Sequence, residues 1–430
     1  MTIDKPDTTH SRLTLLDAAG AIGFVVYSAS MVLTPIVLLR LADELGFGLA
    51  QGGGIEAVRA GFLLAVLLVS GAAAARFGRT RSLSVGAVIL AAGLLAYAAA
   101  PAYWVVLAAM VLVGVGGGVL EALINPMVQD EHPGDSGRYL NVVNAFFSLG
   151  VVATVLIAGE LLTRGVSWRL LVASVGVLAA ASAAVFGACR RHRLPEKDGQ
   201  SESTFQSTGA ATREAGEAGS RKRQTSAVIG VLEHSRRIVR DSRFWLFALA
   251  MFCGGGAEGG FTFWSATYIQ LHFDALARAG GVGTAVFAGG MVVGRLASGR
   301  FVAQNRLNRL IIGSAVLGIG VSIAAYLVSH LAVFFGVLFA AGLSIACFWP
   351  SIQAHAATAI RADSTTLFIL LSCAGVPGFG LTSWIMGIVA ERYSLRGSLL
   401  VIPILLLVLT ATFVAARSVA RARDEDRRPE

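Results

Sequence analysis

Twelve stretches of the chain, at residues 16–41, 56–75, 82–100, 103–128, 139–163, 168–188, 244–270, 282–301, 308–328, 331–354, 364–389 and 397–416, are apolar and long. Roughly 30 Å of hydrocarbon is crossed by about 20 helical residues. Inside lipid every backbone N–H and C=O has to be satisfied within the element itself, so such stretches are expected as helices. With 55% hydrophobic and 14% charged residues, the chain reads as an all-α membrane protein with twelve transmembrane helices, which excludes a soluble enzyme. The first apolar run follows Asp4, Lys5, Asp7 and Arg12 without a small-residue cleavage pattern, so it is read as a retained span.

The net charge of +9 reports orientation rather than a nucleic-acid partner. If both termini share a side, only Arg40, Arg164, Arg169, Arg278, Arg392 and Arg396 fall opposite them, while Arg59 and Arg295 lie within spans. Most of the 35 Lys and Arg then gather on the side of the termini. The positive-inside rule makes that side cytoplasmic, with the protein multi-pass in the cytoplasmic (inner) membrane.

Between spans six and seven the composition turns polar and rich in Ser, Thr and Gly, as in a flexible cytoplasmic linker. Its last part, 228–240, alternates apolar residues with Glu233, Arg236, Arg237 and Arg240, the pattern of a short amphipathic helix. The expected organisation is a six-helix bundle at 1–189, the linker at 190–242, a second six-helix bundle at 243–416 and a cytoplasmic tail at 417–430.

The two bundles look like copies of each other. A constant shift of 228 residues pairs Gly52, Gly53, Gly61, Gly71, Gly114, Gly150 and Gly159 with Gly280, Gly281, Gly289, Gly299, Gly342, Gly378 and Gly387, and it superposes the spans. The same shift places Asn125 opposite Gln353, Glu121 opposite Trp349, and Ser30 opposite Glu258. The halves thus carry polar groups at equivalent depths with different chemistry, as expected of parallel repeats with a site between them.

Span four carries the strongest functional signal. Gly114, Gly118, Glu121, Asn125 and Gln129 fall on one helical stripe. An unpaired carboxyl there costs at least ~2.5 kcal/mol in lipid, so it needs a partner helix, a proton or a polar cavity. The glycines beside it admit a close neighbour. Glu258 stands in Gly-Gly-Gly-Ala-Glu-Gly-Gly (254–260), which is expected to weaken span seven near its middle, the alternative being small-residue packing. Trp264 and Tyr268, four apart, either line a cavity or, for Tyr268, join an interfacial belt. Glu56 and Arg59 are spaced to pair, Arg295 is expected to reach the cytoplasmic edge, and Asn141, Asn144 and Ser148 share a face.

Between spans two and three the chain reads Gly71, four alanines, Arg76, Phe77, Gly78, Arg79, Thr80, Arg81. This resembles the signature loop of the major facilitator superfamily, with Ala75 where that family has Asp and Thr80 interrupting its final basic pair. Glu121-Ala-Leu-Ile-Asn125-Pro126, the Arg138 to Gly150 segment, and Glu258 with Trp264 and Tyr268 are similar to the fucose-proton symporter branch. Gly294-Arg295, Ser298-Gly299 and Trp349-Pro350 also fit. That branch has an Asp in span one, where this chain has Met31. The resemblance implies two pseudo-symmetric six-helix bundles acting as a secondary transporter by alternating access. It implies a small polar solute, a sugar or its derivative, held by Asn125, Gln353, Asn144, Trp349, Trp264 and Tyr268. Proton coupling would then fall to Glu121 or Glu258.

No phosphate-binding Gly-Lys-Ser/Thr loop is present, so no ATP site is expected. The four cysteines and seven histidines show no ligand spacing, so neither a metal nor a cofactor is expected, nor an enzyme. The expected partners are a small molecule, a proton and the lipid bilayer, with the chain acting as a monomer. Two other readings stay open, a proton-driven exporter of a natural product or drug and a non-transporting sensor on a transporter scaffold.

Overall fold

The computed structural model describes residues 14–132, 136–192, 235–303, 306–360 and 364–425. Twelve helical spans are long and apolar enough to cross a membrane, so both ends of the described chain fall on one side, the termini side. The first half comprises α1 (Leu15–Leu45), α2 (Leu49–Phe77), α3 (Arg79–Ala98), α4 (Tyr103–Glu131), α5 (Ser136–Thr163) and α6 (Trp168–His192). The second comprises α7 (Ser242–His272), α8 (Ala277–Phe301), α9 (Leu307–Leu327), α10 (Leu331–Ile345) with α11 (Phe348–Ala359), α12 (Ser364–Arg392), and α13 (Leu395–Ser398) with α14 (Val401–Glu425). Most of the linker lies outside the described residues. Residues 235–240 are helical, with Ile238 buried and Arg236, Arg237 and Arg240 exposed.

α1 starts on a capping box: the Thr14 hydroxyl accepts from the Asp17 N–H while the Asp17 carboxylate accepts from the Thr14 N–H. The same carboxylate lies 2.8 Å from the His132 ring, fastening the start of α1 to the end of α4. α7 starts on Asp241, whose side chain accepts from the Arg243 N–H.

Span seven is unbroken, contrary to the weakening expected from its glycines. They serve packing instead. A Cβ at Gly255 would sit 2.4 Å from the Gly375 carbonyl oxygen, and one at Gly259 would sit 2.7 Å from the Phe379 ring. α7 and α12 touch along this stripe, and their close packing outweighs the intrinsic cost of glycine in a helix, about 1 kcal/mol each. The interrupted helix is span ten. α10 ends at Ile345, and α11 begins at Phe348, just ahead of Pro350. Pro350 has no N–H for the Ala346 carbonyl, so the ladder fails at mid-membrane and Trp349 is set at the break.

Between the halves α2 packs on α12, α5 on α8, and α1 on α7. The closest approaches lie on the side away from the termini. A Cβ at Gly53 would be 2.4 Å from the Ser383 carbonyl oxygen, and one at Gly281 would be 2.2 Å from that of Val155. One at Gly387 would be 2.5 Å from the Leu49 oxygen. The bundles are therefore sealed on the far side.

Candidate functional site

Nearer the termini side, polar side chains stand partly exposed on helices that meet at the bundle interface. Glu121, Asn125, Glu258, Trp349 and Gln353 are half-buried and Asn144 is exposed. At 1.5 Å per residue, Glu121 lies roughly 27 Å from the far end of α4 and about 15 Å from its other end. Exposure of a carboxyl to lipid at that depth is excluded by its cost, so Glu121 faces a cleft that opens toward the termini.

In the first half the stripe predicted from sequence is tightly held. A Cβ at Gly114 would lie 2.5 Å from the Arg59 carbonyl oxygen, and one at Gly118 would lie 3.1 Å from that of Leu63, so α2 rests directly on α4. This contact puts the Arg59 guanidinium in electrostatic reach of Glu121. Arg59 is already engaged: it donates to Glu56 at 2.9 Å from Nε and at 2.5 Å from Nη2, and both side chains are buried. Tyr27 of α1, buried against Gly117 and Phe147, joins the same cluster. Glu121 has no bonded partner among the described residues. One turn on, the Asn125 side-chain oxygen accepts from Asn144 Nδ2 at 2.8 Å, bridging α4 and α5.

In the second half Glu258 is paired. Arg295 Nη2 stands 3.4 Å from its Oε1, and the two side chains are 43% and 23% exposed. Arg295 thus turns inward to α7 rather than to the cytoplasmic edge, an arrangement not visible in a sequence where the two are 37 residues apart. Gln353 donates to Ser372 Oγ at 3.1 Å, and the Trp349 ring lies against Gly375. Trp264 and Tyr268 do not face the cleft. Both are fully buried, Trp264 donating to the Ser383 carbonyl at 3.0 Å and Tyr268 stacking on His272 and Phe334. The helical spacing of these two residues marks the face of α7 turned into its own bundle.

The turn between α2 and α3 braces the first half. Gly78 takes φ +83°, and Arg79 donates to the Pro126 carbonyl at 3.0 Å and pairs with Asp130. Arg76 and Arg81 lie over the Phe77 ring, and the side chains at 71 and 75 are outside what is described. Among the described residues no group of His, Cys, Asp and Glu has the arrangement of a metal site.

Two sealed bundles around a polar, membrane-embedded cleft define a polytopic carrier. The sequence matches the Major Facilitator Superfamily over residues 19–376, and the chain belongs to that family. It is a membrane-spanning transporter, not an enzyme. No curated protein matches the sequence significantly. Among solved structures it is similar to a bacterial homologue of the human lysosomal transporter Spinster in an inward-facing, unoccupied conformation. That match has 15% identity and a TM-score of 0.74, covering 97% of this chain and 99% of that one. The occupied form of that homologue matches at 14% identity and TM-score 0.69, over 97% and 98%. The nucleoside transporter NupG matches at 14% identity and TM-score 0.70, over 93% and 98%. At these identities the likeness is one of fold.

Proposed function

We propose that this secondary transporter carries a small polar organic solute, a sugar or its derivative, through the cytoplasmic membrane by proton symport, with Glu121 taking up the proton. The observation that carries the reading is the charge arrangement within the membrane. Glu56 is matched by Arg59 and Glu258 by Arg295, which leaves Glu121 as the acid without a bonded counterpart. A proton is the simplest cation to balance it, taken up when the carboxyl loses water and released when water returns. Solute would meet Asn125 and Asn144 on one side and Gln353 and Trp349 on the other, and Glu258 with Arg295 supplies a second, polar wall.

The excess of Lys and Arg on the termini side supports cytoplasmic termini, which makes the sealed side external and this conformation inward-open. A single chain contributes both walls of the cleft, which supports a monomer as the working unit.

The test uses purified protein in proteoliposomes under an imposed pH gradient, with internal pH followed as sugars, organic acids and amphiphiles are added in turn. Proton entry with one solute, at least ~100-fold reduced in Glu121→Gln and retained in Glu258→Gln, is expected if removing the cleft acid that has no bonded counterpart among the described residues abolishes the coupled step. Undiminished coupling in Glu121→Gln sinks the assignment. Solute-driven proton movement only in the outward direction would make the protein an exporter instead.

A further inference from the structure

The far-side seal is made twice with the same geometry. Glu391, near the end of α12, accepts through Oε2 from the N–H of Ala50, the second residue of α2, at 2.9 Å. Thr163, the last residue of α5, accepts through Oγ1 from the N–H of Arg278, the second residue of α8, at 2.9 Å. The shift of 228 carries Ala50 onto Arg278 and Thr163 onto Glu391. The two bonds are therefore mates under the internal repeat.

Their surroundings follow the same relation. Gly387 packs on Leu49 and Ala50 as Gly159 packs on Ala277 and Arg278, and Gly53 meets the Ser383 carbonyl as Gly281 meets that of Val155. The first turn of any helix leaves N–H groups without partners inside it. The residues that precede α2 and α8, Gly48 and Leu276, place no side-chain cap on them. Each helix instead receives its cap from the opposite half of the molecule. The charged members differ. Glu391 brings its carboxylate to the N-terminus of α2 directly, where the helix dipole favours it. Beside Thr163 the carboxylate is Glu160, 3.3 Å from Arg278 and 2.7 Å from Arg164.

We propose that Glu391 and Thr163 are the gate-setting residues of this transporter. They cap the two seam helices only while the far side is shut, so opening there uncaps both, and together they fix the balance between the two open states. The seam glycines allow the close approach, and the caps hold it. The proposal requires only that the halves rock against each other, and it is independent of solute and coupling ion.

The test reads accessibility rather than transport. Val155, 1% exposed at the seam, is replaced by Cys in full-length protein whose four native cysteines are Ala, reconstituted in nanodiscs. The labelling rate of this Val155→Cys reporter with a membrane-impermeant maleimide is then measured. Thr163→Val and Glu391→Ala should each speed labelling by roughly fivefold, and the pair by roughly 20-fold, as expected for loss of a helix cap. Thr163→Ser, which keeps the hydroxyl, should label at the parental rate.

Unchanged labelling in Thr163→Val and Glu391→Ala, from monodisperse protein, overturns the proposal. So does equal acceleration by Thr163→Ser. Should the double variant fail to fold, near-isosteric Thr163→Val and Glu391→Met, each without the accepting oxygen, decide it singly. Failure here leaves the proton assignment untouched, because no step of the measurement involves substrate.

Discussion

The far-side seam and the mid-membrane cleft are built from the same repeat, and they have used it in opposite ways. At the seam, mates under the 228-residue shift are chemically alike: glycine answers glycine at 53 and 281 and at 159 and 387, and an oxygen acceptor answers another at 163 and 391. At the cleft two of three mates are unlike, Glu121 answering Trp349 and Glu258 answering Ser30, while Asn125 and Gln353 keep the amide and differ by one methylene. Physical demand explains the contrast. Closing two helices to backbone contact poses one problem, solved identically in each half, whereas a solute without two-fold symmetry meets each half with a different surface. Divergence between repeat mates then marks the site more sharply than any single residue does.

The same contrast separates the two Glu–Arg pairs within the membrane. Glu56 and Arg59 are joined by two hydrogen bonds in the first half with both side chains nearly sealed, whereas Glu258 and Arg295 touch once, at 3.4 Å, in the open cleft. The largest effect is expected from breaking the sealed pair. Arg59→Ala leaves Glu56 buried and uncompensated, and should cost about 3–5 kcal/mol, read as loss of expression of folded protein or a large drop in thermal midpoint. The double variant Glu56→Gln with Arg59→Met, which keeps volume and removes both charges, should recover most of that loss. If Arg59→Ala unfolds no more easily than the parent, water reaches the pair and the distinction drawn between the two pairs disappears.

A smaller effect should come from crowding the seam. Gly281→Ala places a methyl 2.2 Å from the Val155 carbonyl oxygen, and Gly53→Ala places one 2.4 Å from that of Ser383. Backbone cannot yield as a flexible side chain does, so each should cost roughly 1–3 kcal/mol in this conformation. The far-side-open form separates these surfaces and escapes the penalty. Either substitution should therefore raise the labelling of the Val155→Cys reporter by an amount similar to its mate, since mates bear equal duty. An effect at 281 without one at 53 would break the symmetry of the seam.

These elements also differ in how far the sequence announces them. The twelve spans were legible because hydrocarbon thickness fixes the length of an apolar helix, and the stripe from Gly114 to Asn125 was legible because 3.6-residue periodicity places it on one face. The repeat showed through its glycines, but a shift states which residues are equivalent, not which touch. That Gly53 meets α12 rather than a neighbour in its own bundle required the tertiary arrangement. Local reasoning failed at Gly254 to Gly260, where the weak helix propensity of glycine suggested a break that packing against α12 removes. It failed again at Trp264, whose spacing from Tyr268 fits a cavity wall as well as the bundle core it occupies. The Arg295 partner was hidden because Glu258 lies on another helix, and the Asp17–His132 contact was hidden for the same reason.

The smallest effect on stability is expected at that open pair, and there the comparison can be sharpened most. Arg295→Gln removes a single long contact between side chains that water already reaches, so the loss should be under about 1 kcal/mol, several-fold less than at Arg59. Among the described residues the guanidinium has one side-chain partner, Glu258, and the Arg295 side chain is 43% exposed. A group that contributes little to folding and faces the cleft can contribute to binding, so solute-induced thermal stabilisation should fall in Arg295→Gln while the unliganded midpoint stays near that of the parent. Arg295→Lys keeps the charge and loses the planar fork, and separates the two: recovery in Arg295→Lys points to charge alone, and continued loss points to directional hydrogen bonds. A drop in the unliganded midpoint comparable to Arg59→Ala would instead place Arg295 among the residues that hold the bundle together, and the second wall of the cleft would then be Gln353 and Trp349 without it.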